Sequence, residues 1–213
     1  MIERTIAAQT HGRYLIAPPS GEPAGLLIGF HGYAEATDAQ MERMQRVAGV
    51  ERWVTVAIQG LHRFYQRRTN EVIASWMTRQ DRELAIADNL AYVEAVIDLV
   101  AAEWPQASRL VLAGFSQGVA MTFRAACQSS RRVSGVIAVG GDVPPELAPP
   151  ALSRVPTALV CRGRRDEWYT SEKFQGDVTR LRSAGVDVEP VEFDGGHEWS
   201  DAVVAAAAAF LKR

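Results

Sequence analysis

A serine lies between two glycines at the end of a short apolar run. Residues 109–118 read Arg-Leu-Val-Leu-Ala-Gly-Phe-Ser-Gln-Gly, which places Ser116 at the centre of a Gly-x-Ser-x-Gly pattern. A nucleophilic serine must be exposed, lie beside a base and face hydrogen-bond donors, and a sharp turn from strand to helix can arrange all three. Gly114 and Gly118 permit such a turn because they lack side chains that would collide. The pattern alone also fits an ordinary loop, so the sequence around it must decide whether Ser116 is a nucleophile.

The context supplies a strand, a helix, an acid and a histidine. The apolar run at 110–113 predicts a buried strand, and the apolar spacing of 117–128 predicts a helix. Asp166 and His197 each come just after another β-rich run. Strand ends meet at one edge of a parallel sheet, so we expect Ser116, Asp166 and His197 to converge there. Their chain order is that of the α/β-hydrolase fold, and the amide of Gln117, at the start of a helix, is a predicted oxyanion donor.

The identity of the acid has alternatives. Glu167 is adjacent to Asp166, and Asp194 lies just before the Gly195-Gly196-His197 segment. Asp166 is favoured because it follows a strand at the expected point of the chain order. His197 is the only histidine after Ser116.

Four segments together resemble the phospholipase/carboxylesterase family of α/β-hydrolases, which includes acyl-protein thioesterases. They are 114–118, Phe-His-Gly at 30–32, Gly-x-x-Asp at 163–166 and Gly-Gly-His-Glu at 195–198. The resemblance covers nearly the whole chain. It implies that the Tyr33 amide is the second oxyanion donor and that His31 orders this loop. The chain departs from the family where His-Gly-Leu-Gly-Asp is common, because residues 31–35 read His-Gly-Tyr-Ala-Glu, and Val119 replaces the second glycine of a Gly-Gly pair.

Strand and helix patterns alternate along the chain and predict an α/β fold with a mostly parallel sheet flanked by helices. The predicted strands are 13–17, 26–30, 53–58, 110–113, 135–139, 157–161 and 186–193. The predicted helices are 38–47, 80–104, 117–128, 171–184 and 200–211, with Ser200 as an N-cap and Gly185 as a stop signal.

Two loops bear on the site. The proline-rich segment 140–155 is too short for the helical cap of many α/β-hydrolases, which predicts an open site without an inserted cap domain. Segment 59–78 is a predicted partial lid. Aromatic residues in the loops are expected to line an acyl pocket, with His31 beside them. The aromatic candidates are Tyr33, Phe64, Tyr65, Trp76, Trp168, Tyr169 and Trp199. The basic group Arg63, Arg67 and Arg68 is either a solvated face or a site for an anionic leaving group.

Composition limits the other classes of function. The 213 residues predict a single domain over 1–213, and a formal net charge of −2 gives no electrostatic case for nucleic-acid binding. No apolar run is long enough to span a bilayer, and the apolar core of a secretory signal is missing, so a cytoplasmic location is expected. The two cysteines and four scattered histidines form no metal pattern, and no nucleotide-binding motif occurs. We expect neither metal nor cofactor, and a monomer or homodimer.

The sequence therefore predicts a serine hydrolase for carboxylic esters or thioesters of short to medium acyl chains. Three alternatives remain open at this stage. The first is a long-chain acyl-protein thioesterase or lysophospholipase, and the second is a peptidase or amidase of the same fold, since the triad is shared. The third is a non-catalytic binding module, which intact serine, acid and histidine positions argue against.

Overall fold

The computed structural model describes residues 1–213 and contains one large mostly parallel sheet. Its seven strands run in the order β1, β3, β2, β6, β7, β8, β9, with β1 antiparallel to β3 and every other neighbouring pair parallel. A separate two-stranded hairpin joins β4 and β5. The strands are β1 Tyr14–Ala17, β2 Gly25–Phe30, β3 Trp53–Ile58, β4 His62–Tyr65, β5 Val72–Ser75, β6 Leu110–Phe115, β7 Gly135–Val139, β8 Thr157–Gly163 and β9 Asp187–Phe193.

Helices cover both faces of the sheet. They are α1 Thr37–Gln45, α2 Arg82–Glu103, α3 Gln117–Gln128, α4 Pro149–Leu152, α5 Ser171–Ser183 and α6 Asp201–Leu211. Successive strand residues point to opposite faces, so Leu110 and Leu112 join a core cluster with α2, α3 and α5. Val111 and Ala113 join a second cluster with α1 and α6. The predicted fold class is confirmed, and the buried central strands explain the continuous apolar runs.

Most predicted elements match the observed ones to within a few residues. The predicted N-cap is also present, because the Ser200 hydroxyl accepts a hydrogen bond from the Val203 amide. The β4–β5 hairpin was missed and lies in the segment expected to be a loop. Strand β4 reads His-Arg-Phe-Tyr and is exposed throughout, so no alternation of buried and exposed residues marks it in the sequence.

The connections at the carboxyl edge of the sheet are short. Between β7 and β8 the chain forms only the four-residue α4, and no inserted domain covers this edge. The helices include none long and apolar enough to cross a membrane.

Candidate active site

Ser116 occupies a strained turn between β6 and α3. Its backbone has φ 52° and ψ −120°, a conformation that side-chain-bearing residues rarely adopt. The turn is possible because a Cβ on Gly114 would collide with Thr122 and Gly118, and a Cβ on Gly118 would collide with the carbonyl oxygens of Phe30 and His31. The close approach at Gly118 also brings the start of α3 against the end of β2.

The loops after β8 and β9 touch each other through their main chains. The amides of Arg164 and Arg165 donate to the carbonyls of Phe193 and Gly195 at 2.9 Å each. A side chain on Gly163 would collide with the Gly196 carbonyl. These contacts fix the loop that carries Asp166 against the loop that carries His197.

Ser116, His197 and Asp166 form a continuous hydrogen-bonded chain. Ser116 Oγ lies 2.9 Å from His197 Nε2, and His197 Nδ1 lies 2.8 Å from Asp166 Oδ2. The second carboxylate oxygen, Oδ1, accepts hydrogen bonds from the amides of Trp168 and Tyr169. An ionised Asp166 can only accept, so Nδ1 carries the imidazole proton and Nε2 is free to accept the serine proton.

The two alternative acids lie elsewhere. The Asp194 side chain is 81% exposed and pairs with Arg165, and Glu167 is exposed, whereas Asp166 is 5% exposed. Asp166 alone among the three bonds to His197. The geometry favours it as the acid.

Two backbone amides beside the cleft have no acceptor in the protein. The Tyr33 amide has no acceptor in the protein. The Gln117 amide begins α3 and so has no acceptor within its helix. Both residues border the same cleft as Ser116.

His31 holds the 31–35 loop in place from inside the protein. Its Nε2 accepts from the Gly60 amide at 3.0 Å, which leaves Nδ1 to donate to the Gly32 carbonyl at 2.7 Å. Its ring stacks on Trp76 at 5.0 Å, and the Trp76 indole Nε1 donates to the His31 carbonyl. Burial lowers the pKa of His31, so the imidazole is neutral in this position.

Gln117 fixes another border of the cleft with its side chain. Its amide oxygen accepts from the Trp76 amide at 3.0 Å and from the Ser75 hydroxyl at 3.2 Å, and its nitrogen donates to the Met77 carbonyl. These bonds attach the segment after β5 to the turn that carries Ser116.

The cleft above Ser116 has a volume of about 640 Å³. One wall is formed by the segment between β5 and the start of α2, and the other by residues 140–142 and the loop leading into α5. Trp168 lines it and is 75% exposed. Tyr33, Tyr169, Met77 and Ala120 supply the remaining apolar surface.

A family model described as phospholipase/carboxylesterase matches residues 11–213. The chain belongs to the phospholipase/carboxylesterase family. Among curated protein sequences none matches it significantly. Many solved structures share the fold, including the Arabidopsis thaliana protein SOBER1 with 19% identity, a TM-score of 0.72 and coverage of 89% of this chain and 98% of that one.

Two other solved structures carry activity names. The Bacillus cereus carboxylesterase has 14% identity and a TM-score of 0.75, covering 94% of this chain and 93% of its own. The Zea mays acyl-protein thioesterase 2 has 17% identity and a TM-score of 0.71, covering 94% of this chain and 100% of its own. At these identities the likeness shows the fold, while the family model shows that the chain is a member of a hydrolase family.

A half-buried ion pair supports the loop where this chain departs from the family pattern. Glu35, in place of the common Asp, accepts from the Gly32 amide at 2.7 Å and forms a two-pronged pair with Arg43 at 2.5 and 2.6 Å. The Arg43 guanidinium lies 4.1 Å above the Phe115 ring. Burial alone would raise the pKa of Glu35, but Arg43 and the Gly32 amide hold it below its ordinary value. Glu35 is therefore ionised and fastens the loop to α1.

Four of the aromatic pocket candidates are wrong. Trp76 is 0% exposed and packs beneath the 31–35 loop, and Trp199 is buried in the core cluster beside α6. Phe64 and Tyr65 lie on the exposed β4 and do not border the cleft. His31 also lies behind the cleft wall rather than in it. Position in a loop did not tell which way each side chain points.

The predicted lid and its basic group also need correction. The 59–78 segment contributes Met77 and Thr78 to the cleft, but Arg63, Arg67 and Arg68 do not border it. Three other cationic residues, which were not predicted from the sequence, border the cleft: Arg79, Arg82 and Lys173. Residues 82 and 173 lie in the first turns of α2 and α5. In sheets of this kind ligands bind beyond the carboxyl ends of the strands, where such helix starts also lie, so that rule could have found them.

Proposed function

We propose that the protein is a serine hydrolase that cleaves carboxylic esters or thioesters through an acyl-enzyme formed on Ser116. The observation that carries the proposal is the hydrogen-bonded chain from Ser116 Oγ to His197 and on to Asp166, at 2.9 and 2.8 Å. The strained turn presents the hydroxyl to the cleft. A family of hydrolases with a serine in this turn supports the same conclusion.

In the first half of the reaction Ser116 Oγ attacks the acyl carbon while His197 Nε2 accepts its proton. The imidazolium then gives that proton to the leaving alcohol or thiol. Asp166 orients the ring and stabilises its positive charge, and the amides of Trp168 and Tyr169 hold its carboxylate in place by donating to Oδ1. In the second half, water takes the place of Ser116 as the nucleophile and the acid is released.

The amides of Tyr33 and Gln117 are the proposed donors to the developing oxyanion. The start of α3 adds the favourable end of a helix dipole. Because both donors belong to the main chain, tyrosine at position 33 is compatible with this role. The supports of the 31–35 loop, His31 and Glu35, then act by positioning the Tyr33 amide.

The cleft favours short to medium acyl groups over long ones. It is open, and its apolar wall is formed by Tyr33, Met77, Ala120, Trp168 and Tyr169, with charged side chains at its border. Each methylene contributes roughly 0.8 kcal/mol only while it finds apolar wall to cover, so the gain should stop early. The structural neighbours include a carboxylesterase and an acyl-protein thioesterase, so the comparison is compatible with either an alcohol or a thiol as the leaving group.

Turnover of p-nitrophenyl esters tests the proposal. We expect hydrolysis of acetyl to hexanoyl esters, with kcat lower by about a thousandfold or more in Ser116→Ala and in His197→Ala, because the triad acts as a unit. Amides should react far more slowly. Hydrolysis by Ser116→Ala within tenfold of the parent would refute the proposal. A preference for palmitoyl over butyryl substrates, both presented as soluble monomers, would point to a long-chain thioesterase instead.

A further inference from the structure

The charged groups of the cleft are unevenly balanced. Arg79, Arg82 and Lys173 line it, against the single carboxylate of Asp142. The whole chain has the opposite sign, with a formal net charge of −2. The cleft is thus a cationic site on an anionic protein, and such a field attracts anions.

Only one of these three cations is neutralised. Lys173 Nζ lies 3.3 Å from Asp142 and also donates to the Trp168 carbonyl at 2.9 Å. Arg79 and Arg82 have no carboxylate within salt-bridge distance and donate no side-chain hydrogen bond to the protein. Two guanidinium groups with free donors therefore border the cleft above Ser116.

The surroundings of Arg82 compensate its charge only in part, because Glu146 attracts it without bonding to it. Arg82 is the first residue of α2, where the helix dipole favours an anion and disfavours a cation. The neighbouring Glu146 is engaged by Arg124, with bonds of 2.6 and 2.8 Å. An incoming anion would relieve this local excess of positive charge and meet the planar donor groups that recognise carboxylate and phosphate.

We propose that the preferred substrate carries a carboxylate or phosphate in its non-reacting part, held by Arg79 and Arg82 while Ser116 attacks the ester. This inference rests on the proposed function, since it names the substrate class of that site.

A pair of substrates that differ only in charge tests the inference. The p-nitrophenyl ester of glutarate has a free terminal carboxylate, and the p-nitrophenyl ester of monomethyl glutarate is its neutral counterpart. The readout is the ratio of kcat/KM for the anionic ester to that for the neutral one, after subtraction of the uncatalysed rate. The double variant Arg79→Gln, Arg82→Gln is compared with Arg67→Gln, Arg68→Gln, which removes the same charge from the exposed turn between β4 and β5.

We expect the ratio to exceed one in the parent and to fall about fivefold to twentyfold in the 79/82 variant, as expected for one or two partly exposed charge pairs. The 67/68 variant should keep the parent ratio. An unchanged ratio in the 79/82 variant, or an equal fall in both variants, would overturn the inference. If instead Ser116→Ala hydrolysed the neutral ester at the parental rate, the proposed function would fail, which is a distinguishable result.

Anion binding gives a readout independent of turnover. Glutarate and inorganic phosphate are titrated into Ser116→Ala protein by calorimetry, with and without the 79/82 substitutions. Binding of either anion that is lost with the two arginines supports the inference, and the stronger of the two identifies the group. Absence of binding for both, up to tens of millimolar and at low salt, would overturn it.

Discussion

At the scale of single residues, the site depends on which of several similar side chains takes each role. Three acidic residues, Asp166, Glu167 and Asp194, are candidates for the acid, but Asp166 is the buried one, and its second oxygen is held by two backbone amides. The convergence of serine, acid and histidine could be predicted from the sequence, because each lies at the end of a predicted strand and such ends meet at one edge of the sheet. The chain order already favoured Asp166 over Asp194, and the structure adds that Asp194 pairs with Arg165 while Asp166 bonds to His197.

Substitution of the acid separates these roles. Asp166→Asn should lower kcat for p-nitrophenyl butyrate by about a thousandfold or more, because an amide favours the wrong imidazole tautomer. Asp194→Asn is the matched control and should stay within about twofold, as surface substitutions usually do. Steady-state kinetics decide the matter. A mild Asp166→Asn together with a severe Asp194→Asn would reassign the acid.

Two tryptophans of the predicted pocket, Trp168 and Trp76, should behave in opposite ways when they are substituted. Trp168→Ala removes an exposed cleft wall, so the optimum acyl length should move and KM should change while the melting temperature is nearly kept. Trp76→Phe leaves the cleft intact but removes the bond to the His31 carbonyl, so stability should fall while the acyl-length profile is unchanged. A profile shifted by Trp76→Phe and not by Trp168→Ala would contradict this assignment.

At the scale of elements, the central strands were predictable because buried parallel strands form continuous apolar runs. The β4–β5 hairpin was not, since its exposed first strand is fixed by pairing with β5 and by the bridge from Glu35 to Ala74. The prediction of aromatic pocket residues was wrong for a related reason. The direction of the Trp76 side chain is set by its packing against His31 and Phe30, and no local sequence pattern encodes those contacts. Arg79 and Arg82 border the cleft because α2 begins at residue 82, beside this edge of the sheet.

The link between α1 and the 31–35 loop has a measurable consequence. Glu35→Ala removes the acceptor of the Gly32 amide and leaves Arg43 without its partner. We expect kcat to fall about tenfold or more with a smaller change in KM, since the loop then holds the Tyr33 amide less well. Glu42→Ala, at an exposed position of the same helix, should have the parental kcat. Equal kcat in Glu35→Ala and the parent would show that the pair is only structural.

At the scale of the whole molecule, the distribution of charge around the cleft and the free energy of unfolding both depend on ionisable residues of the candidate site. The net charge of −2 gave no electrostatic case for nucleic-acid binding, and it did not reveal the cationic cleft, because a sum over the chain hides the local distribution of charge. The groups that support the 31–35 loop are ionisable, His31 buried and Glu35 half-buried, so the stability of the fold depends on their protonation states.

Acid should destabilise the protein through His31 before its carboxylates are protonated. Burial lowers the pKa of His31 from its ordinary value of 6.5, so the unfolded chain takes up this proton first. Its contribution is complete above pH 6.5 and is lost as pH falls towards the lowered pKa, at up to about 1.4 kcal/mol per pH unit. Urea denaturation between pH 7.5 and 5 measures the slope. His31→Gln should be less stable at pH 7.5 and show a shallower slope; equal slopes would contradict this explanation.

The most direct test of the central claim is to trap and locate the covalent intermediate. The protein is mixed with excess p-nitrophenyl butyrate, quenched in acid and analysed by peptide mass spectrometry. The account predicts one butyryl group, on Ser116, absent from Ser116→Ala and accumulated on the millisecond timescale before steady turnover. Undiminished turnover in Ser116→Ala, or an acyl group on a different residue that forms and decays at the rate of catalysis, would contradict it.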